Sequence, residues 1–596
     1  MSAEVPYLDP ALSPEQRTED LLSRMSLEDK AGQLFHSQIG MGPDGTLADA
    51  DPDFSLPSTH EFVLGKKMTH FNLLGAVTDP RQVAGWHNRL QELAASTPLA
   101  IPVTLATDPR HHFTDNPGTA FNAGAVSQWP ETLGLAALRS PDLVQRFADI
   151  ARQEYLALGF RLALHPQVDL ATEPRWARIN DTFGEDADLT SELAVAYVRG
   201  LQGAALGPES VSAMTKHFPG GGPQMDGEDP HFHYGREQVY PGNNLEYHLK
   251  PFIAVIEAGG SQMMPYYGMP VGTELEPVGF GFNKGVITGL LRERLGFDGI
   301  VCTDWGLIND AELLGQPMPT RAWGLEHLDP LERVERVLSA GCDQFGGESC
   351  PELVVTLVRS GWVSESRIDE SVRRLLLEKF RLGLFERRYV DVDSAPAVVG
   401  RADFVAAGEA AQRASYTLLT NTDELLPLEP GSTVYLEGVD AAAVAPYATV
   451  TEDPAAADVA LIRLKAPYEP RPGGFEAFFH AGSLEFPPAE VQRLQTLFAT
   501  VPTVVDLYLD RPAIVPEIAV GAAALLVSYG SNARAFADVV FGDTAPQGRL
   551  PFDLPSSTRA VEDSRSDVPF DTADPLFRYG DGLPYPRRCT APDYHT

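Results

Sequence analysis

Apolar residues come in short runs through the first 385 or so positions, each followed by polar residues and then by apolar positions at helical spacing. Runs at 34–39, 73–77, 103–106, 161–165, 211–215, 262–265, 299–303 and 342–345 read as strands bounded by turn-forming residues. Between them, 141–158, 188–202, 246–257, 283–294 and 332–340 carry the apolar stripe of an amphipathic helix; Val286, Leu290 and Leu291 are one example. Strand and helix in alternation build parallel sheets, and eight such strands are the number that closes a (β/α)₈ barrel.

After this block, 365–384 reads as a long helix, and 386–411 mixes Arg, Asp, Pro and Gly in the manner of a linker. Apolar strands return at 433–436, 459–464, 503–509 and 522–528, with a helix at 488–498. The predicted organisation is an N-terminal TIM-like barrel over 1–385, a linker over 386–411, and an α/β sandwich domain over 412–596.

Composition agrees with two globular domains: 596 residues, 43% hydrophobic and 21% charged. The balance of 46 basic against 82 acidic residues, a net charge of −36, repels phosphate backbones and anionic lipid heads. Nucleic acid and membrane are therefore not expected as partners. No apolar run of about 18 residues occurs, and the N-terminus lacks the basic and apolar regions of a secretory signal, so the expected location is the cytoplasm. Four cysteines (Cys302, Cys342, Cys350 and Cys589) form no CxxC pair. The sequence leaves a homodimer open.

The chemistry collects at strand ends. In GFDGIVCTDWGL, residues 296–307, an apolar run leads straight into Asp304 and Trp305. An unpaired buried carboxylate is costly, so a partner or a task is implied. The C-terminal ends of barrel strands carry the active site, and the residues there are Asp108, Asp169, Arg178, Lys216, His217, Tyr267, Asp304, Trp305 and Asp343. Carboxylates that accept from hydroxyls, cations that donate, and an indole wall suit a polyhydroxylated ligand.

Nine segments in order resemble glycoside hydrolase family 3. They are TEDLLSRMSLEDKAGQLF, EPRWARINDTFGEDADL, KHFPGGGPQMDGEDPHF, PFIAVIEAGGSQMMPYYG, GFDGIVCTDWGL and VRRLLLEKFRLGLF in the first domain, then RASYTLLTNTDELLPL, GDTAPQGRLPFDLPSS and LFRYGDGLPY in the second. The resemblance implies an exo-acting retaining β-glycosidase without cofactor or metal, a β-glucosidase as first choice, with β-xylosidase and β-N-acetylglucosaminidase as alternatives. It makes Asp304 the nucleophile, as retaining hydrolysis requires of a rigidly held carboxylate. Asp108, Arg178, Lys216 and His217 become the sugar clamp, with Met264, Tyr267 and Trp305 against the sugar. Where the family has His-Gly after the Asp108 strand this chain has PRHHF, and Asp181 replaces a Glu three residues after Arg178.

The acid/base is less direct. In two-domain members it is a Glu from a second-domain loop, here RLKAPYEPRPGGFEAFFHAGSLEFP, with Lys465 where plant-type exoglucanases carry the acid. Counting back from Leu-Glu-Phe-Pro selects Glu476, with Glu469 next. A rival lies on the barrel: members that cleave N-acetylglucosaminides use an Asp-x-His pair, and Asp229-Pro230-His231 fits that pattern.

Other classes fit less well. His111, His112, His217, His231 and His233 raise a metal-dependent hydrolase, but no HxH closes the first strand. GGGPQMDG lacks the GK[ST] ending of a phosphate loop. A sugar-binding protein without catalysis would have no use for a carboxylate at position 304.

Overall fold

The computed structural model describes residues 5–313 and 315–585; Cys589 lies outside them. Eight parallel strands close a barrel: β1 (Phe35–Ile39), β2 (His70–Leu73), β3 (Thr104–Thr107), β4 (Phe160–Ala163), β5 (Ser212–Phe218), β6 (Gln262–Pro265), β7 (Ile300–Trp305) and β8 (Gln344–Gly346). The ring closes where β1 meets β8, with Phe35 opposite Phe345. Most of these strands are buried on both faces, which is why they read as continuous apolar runs. β2 begins upstream of its expected place, because it alternates His70, Phe71 and Asn72 and its polar members point into the barrel instead of interrupting a strand.

Helices Pro141–Leu158, Ala187–Gln202, Leu245–Glu257 and Pro330–Ala340 occupy the expected positions. Ser140 caps the first through Leu143, proline follows, and Gly159 at φ 90° ends it. The expected helix near 283–294 is present as Gly285–Arg294 but is wound with i to i+5 hydrogen bonds. Inside the barrel Ala106, Leu162, Leu164, Met214, Met264 and Cys302 form a small apolar plug, with Trp305 lying against it. That plug is the floor of the site.

Asp343 departs from expectation. β8 begins one residue after it, so Asp343 sits at the N-terminal rim, fully buried, where Arg292, Arg374, Ser371 and the Val301 amide hold it. It ties strands to the helix Glu365–Arg381 and is not part of the strand-end constellation.

The segment expected as linker ends in a helix, Ala402–Ser415, which buries Phe404, Ala411 and Ala414 and packs on the barrel-side helix Thr132–Ala137. Beyond it lies a six-stranded sheet in the order β9-β14-β13-β12-β10-β11. Its strands are β9 (Thr417–Asn421), β10 (Thr433–Glu437), β11 (Thr449–Thr451), β12 (Val459–Lys465), β13 (Thr503–Tyr508) and β14 (Ala524–Ser528). Only β9 runs antiparallel to its neighbour. Helices Pro488–Thr500 and Ala533–Val540 belong to this unit. β9 and β11 had no strand signal of their own; β11 is a three-residue strand, largely exposed.

The loop after β12 crosses to the barrel. Arg511, 1% exposed, fixes it by donating to the carbonyls of Arg175, Pro467, Ala481, Gly482 and Ser483. Four of those carbonyls belong to the loop and the fifth to the barrel. One side chain thus registers the loop on the first domain.

Candidate active site

A cavity of about 340 Å³ opens at the C-terminal end of the barrel, within the range of small-ligand sites. Asp108, Arg178, Lys216, His217, His231, Met264, Tyr267, Asp304 and Trp305 all line it. Nine of the residues singled out in the sequence therefore meet in one place. Glu476 and Glu469 are not among its lining; Glu476 is half-buried one residue beyond Phe475, which does line the cavity.

Asp304 is the last residue but one of β7. Its Oδ1 accepts from the Trp305 amide at 2.8 Å, while Oδ2 is buried with no hydrogen-bond partner. His217 Nε2 stands 3.8 Å from that oxygen. His217 in turn is fixed by Asp169, whose Oδ2 is 2.7 Å from Nδ1. Burial, followed by the charge of Arg178, holds His217 well below its ordinary pKa, so a neutral ring faces Asp304. Burial drives Asp169 up to about 6, against the Gly221 and His217 amides that favour its charged form. Tyr267 is hydrogen-bonded both ways to the Trp305 backbone, donating to its carbonyl at 2.8 Å and accepting from its amide at 3.0 Å. The strand end and the phenol together hold the carboxylate rigidly.

At the closed end, Lys216 lies 3.5 Å from Asp108, and Asn72 donates to Asp108 at 2.7 Å. Burial raises the Asp108 pKa, with Lys216 opposing it. Arg178 pairs with Asp181 at 3.0 Å and donates to Gln167 at 2.7 Å. The substitution of Asp for Glu three residues on thus keeps the ion pair. Burial works against the charge of Arg178, but Asp181, Tyr266 and Asp229 raise its pKa, and it stays cationic.

His231 approaches from the loop after β5. Its Nδ1 is 2.6 Å from Asp229 Oδ1, and the ring packs edge-on to Tyr267 and Phe475. Asp229 also accepts from the His231 amide, Trp176 Nε1 and Tyr266 Oη. Burial alone would raise this carboxyl, yet His231 and the hydrogen bonds hold it down to about 2. His231 itself is lowered by burial, with Asp229 pulling the other way.

Several residues escaped the sequence. Phe475 arrives from the second domain and presses on Gly118, where an added Cβ would lie 2.5 Å from the ring. Glu348, buried and raised to about 7 by its burial, accepts from the Ile308 and Asn309 amides and holds the loop after Trp305. Asn72 braces Asp108 and Gln167 braces Arg178. Only Glu348 left a trace in the sequence, two residues past the end of β8. No group of three or more His, Cys, Asp or Glu suited to a metal ion occurs among the described residues.

Residues 27–377 match the model of the glycosyl hydrolase family 3 N-terminal domain and 434–585 that of its C-terminal domain. The chain is 56% identical to probable beta-glucosidase C of Aspergillus flavus over 590 residues, covering 98% of this chain and 93% of that protein. It is 41% identical to the periplasmic beta-glucosidase/beta-xylosidase of Dickeya chrysanthemi, covering 97% and 91%. Among solved structures, a β-glucosidase from Erythrobacter marinus superposes with a TM-score of 0.78 at 20% identity, over 98% of this chain and 84% of that one. The β-glucosidase of Listeria innocua complexed with isofagomine gives 0.75 at 22%, over 96% and 83%. These last two likenesses concern the fold. With both domain models matched in order and relatives alike over nearly the whole length, the chain belongs to glycosyl hydrolase family 3.

Proposed function

We propose that this glycoside hydrolase is an exo-acting retaining β-glucosidase that releases one sugar from the non-reducing end. The observation that carries this is Asp304 Oδ2: a buried carboxylate oxygen without a partner, at a rigid strand end, in a pocket closed beyond it by Asp108, Lys216 and Arg178. A blind pocket admits a chain end and not a chain middle. Oδ2 attacks the anomeric carbon as the leaving oxygen takes a proton, and a water then breaks the glycosyl ester with retention. Asp108 and Arg178 serve the hydroxyls; neutral His217, its Nδ1–H held by Asp169, turns Nε2 to the site as an acceptor for a sugar hydroxyl and does not neutralise the nucleophile.

For the proton, the geometry favours His231 held by Asp229, since that ring lines the cavity and its Nδ1 is already engaged, which leaves Nε2 for the substrate. Glu476 is the second candidate, favoured by its place beside Phe475 on the crossing loop. The name of the Dickeya relative supports β-xylosidase as an additional activity.

A fluorinated β-glucoside with a good leaving group should trap the glycosyl-enzyme. Peptide mapping is expected to place the label on Asp304; a label elsewhere, or product of inverted anomeric configuration, overturns the assignment.

A further inference from the structure

The mouth of the cavity is built differently from its closed end. Asp108, Arg178, Lys216 and His217 are each at most 5% exposed, so the sugar lies there and the exposed end receives the aglycone. Two kinds of residue gather at that end. The apolar ones are Phe475 from the second domain, Leu313 and Met318 from the hairpin that follows β7, and Phe54 from the loop after β1. Phe475, backed by Phe232 and Phe479, shares one apolar cluster with Leu313 and Met318. The hairpin is tied to the Phe54 loop by Glu312 N to Ser55 Oγ at 2.7 Å and Gly315 N to Asp53 O at 3.2 Å. Together they give the mouth of the cavity an apolar wall, which suits a flat apolar group.

The charged ones are Asp310, Glu312 and Glu352, exposed carboxylates that also line the cavity. Their compensation is slight. Lys66 comes within 3.8 Å of Glu352, and Glu312 has no ion-pair partner among the described residues. Of the two lining guanidiniums, Arg178 is paired with Asp181, and Arg321 is spent on the carbonyls of His231 and Trp305 and lies over the Tyr267 ring. A net charge of −36 adds its field to that of the rim.

We propose that this rim selects the aglycone: the enzyme takes aryl β-glucosides whose ring is neutral or cationic, and turns away those whose aglycone bears a carboxylate or another anion. The selection rests on the β-glucosidase reading above, and it concerns the same cavity. Phe475 and the hairpin supply the affinity for the ring, and Asp310 with Glu312 supplies the discrimination by charge.

The test compares para-ethylphenyl, para-(2-aminoethyl)phenyl and para-(carboxymethyl)phenyl β-glucosides, whose phenols leave about equally well, with methyl β-glucoside as the aglycone without a ring. At low ionic strength kcat/KM for the carboxylate substrate is expected to fall about tenfold below that of the amine, and the gap to shrink in strong salt as the rim is screened. Asp310→Asn with Glu312→Gln should bring the ratio towards one. Phe475→Ala should lower kcat/KM for all three aryl substrates by a common factor and leave their ratios alone, while methyl glucoside changes less. Equal rates for amine and carboxylate substrates in the parent would overturn the proposal and leave the β-glucosidase standing. If the folded enzyme cleaved none of the four glucosides, both would fall.

Discussion

At the scale of single residues, the site separates into groups that must be charged and groups that must be neutral. Asp229, held at about 2, stays anionic throughout the working range, whereas burial keeps His217 uncharged beside Asp304. A general acid must have a proton to give, and burial lowers His231, so its protonated fraction grows as pH falls. If His231 is the donor, kcat/KM for glucosides with poor leaving groups falls as pH rises through a pKa below 6.5, and that limb is weak for dinitrophenyl glucoside, which needs no proton. His231→Gln should cost about 10²–10⁴-fold on methyl β-glucoside and about tenfold or less on the dinitrophenyl substrate. Glu476→Gln should show no such split. The reverse pattern, with azide restoring the Glu476 variant, assigns the proton to Glu476. Asp304→Ala is expected to lower turnover of every substrate by at least about 10³-fold with thermal stability intact, because it removes the attacking atom and no packing partner.

At the scale of elements, the loop between β12 and the helix Pro488–Thr500 is the least self-supporting part of the site, and Arg511 stands in for a missing secondary structure by satisfying its carbonyls. Burial lowers that guanidinium only to about 10, so it keeps its charge at neutral pH. Arg511→Met strands several buried carbonyls and should destabilise the fold by about 3 kcal/mol or more. It should also expose 466–486 to proteolysis and raise KM for aryl glucosides. An unchanged urea midpoint and protease map would refute this role. The loop also marks the limit of what the sequence discloses. Seven of the eight barrel strands were legible because buried parallel strands read as apolar runs, and Asp304, Lys216 and His217 because each stands at the end of such a run; β2 was misplaced because His70 and Asn72 interrupt its run. Phe475 was not, since its approach to Gly118 links positions hundreds of residues apart and depends on Arg511, which no local pattern announces. Asp343 misled for a related reason: a carboxylate beside a short strand can stand at either end of it, and only the register decides.

At the scale of the molecule, the two domains meet through buried carboxyls, and these make one contribution to stability that falls as pH rises. Glu185 accepts from the Asp553 and Phe570 amides across the junction, and the Glu131 backbone donates to the Tyr529 carbonyl. Burial drives Glu131 and Glu185 up to about 8, and Glu348 and Glu378 up to about 7. In the unfolded chain the same groups ionise near 4.5. The folded state therefore binds protons more tightly between those limits; its stability is fullest below about 4.5 for these groups and is lost as pH climbs through 7 and 8. Self-repulsion from a net charge of −36 acts in the same direction. Other groups oppose them: the depressed pKa of Asp229 gives a contribution present above 3.8 and lost as pH falls towards 2, and buried His36, His70, His87, His112, His165, His217 and Lys379, all lowered by burial, give contributions that grow as pH rises towards their ordinary values. The parent's dependence is therefore a sum of opposed groups, and a variant that removes one carboxyl isolates its share. Glu185→Gln, which keeps one of the two junction acceptors and cannot ionise, should gain on the parent by about 3 °C in melting temperature between pH 5.5 and 8.5. A constant difference between the two melting temperatures over that range would mean that this carboxyl reaches solvent or finds a cation, and the junction would then owe its strength to apolar packing alone.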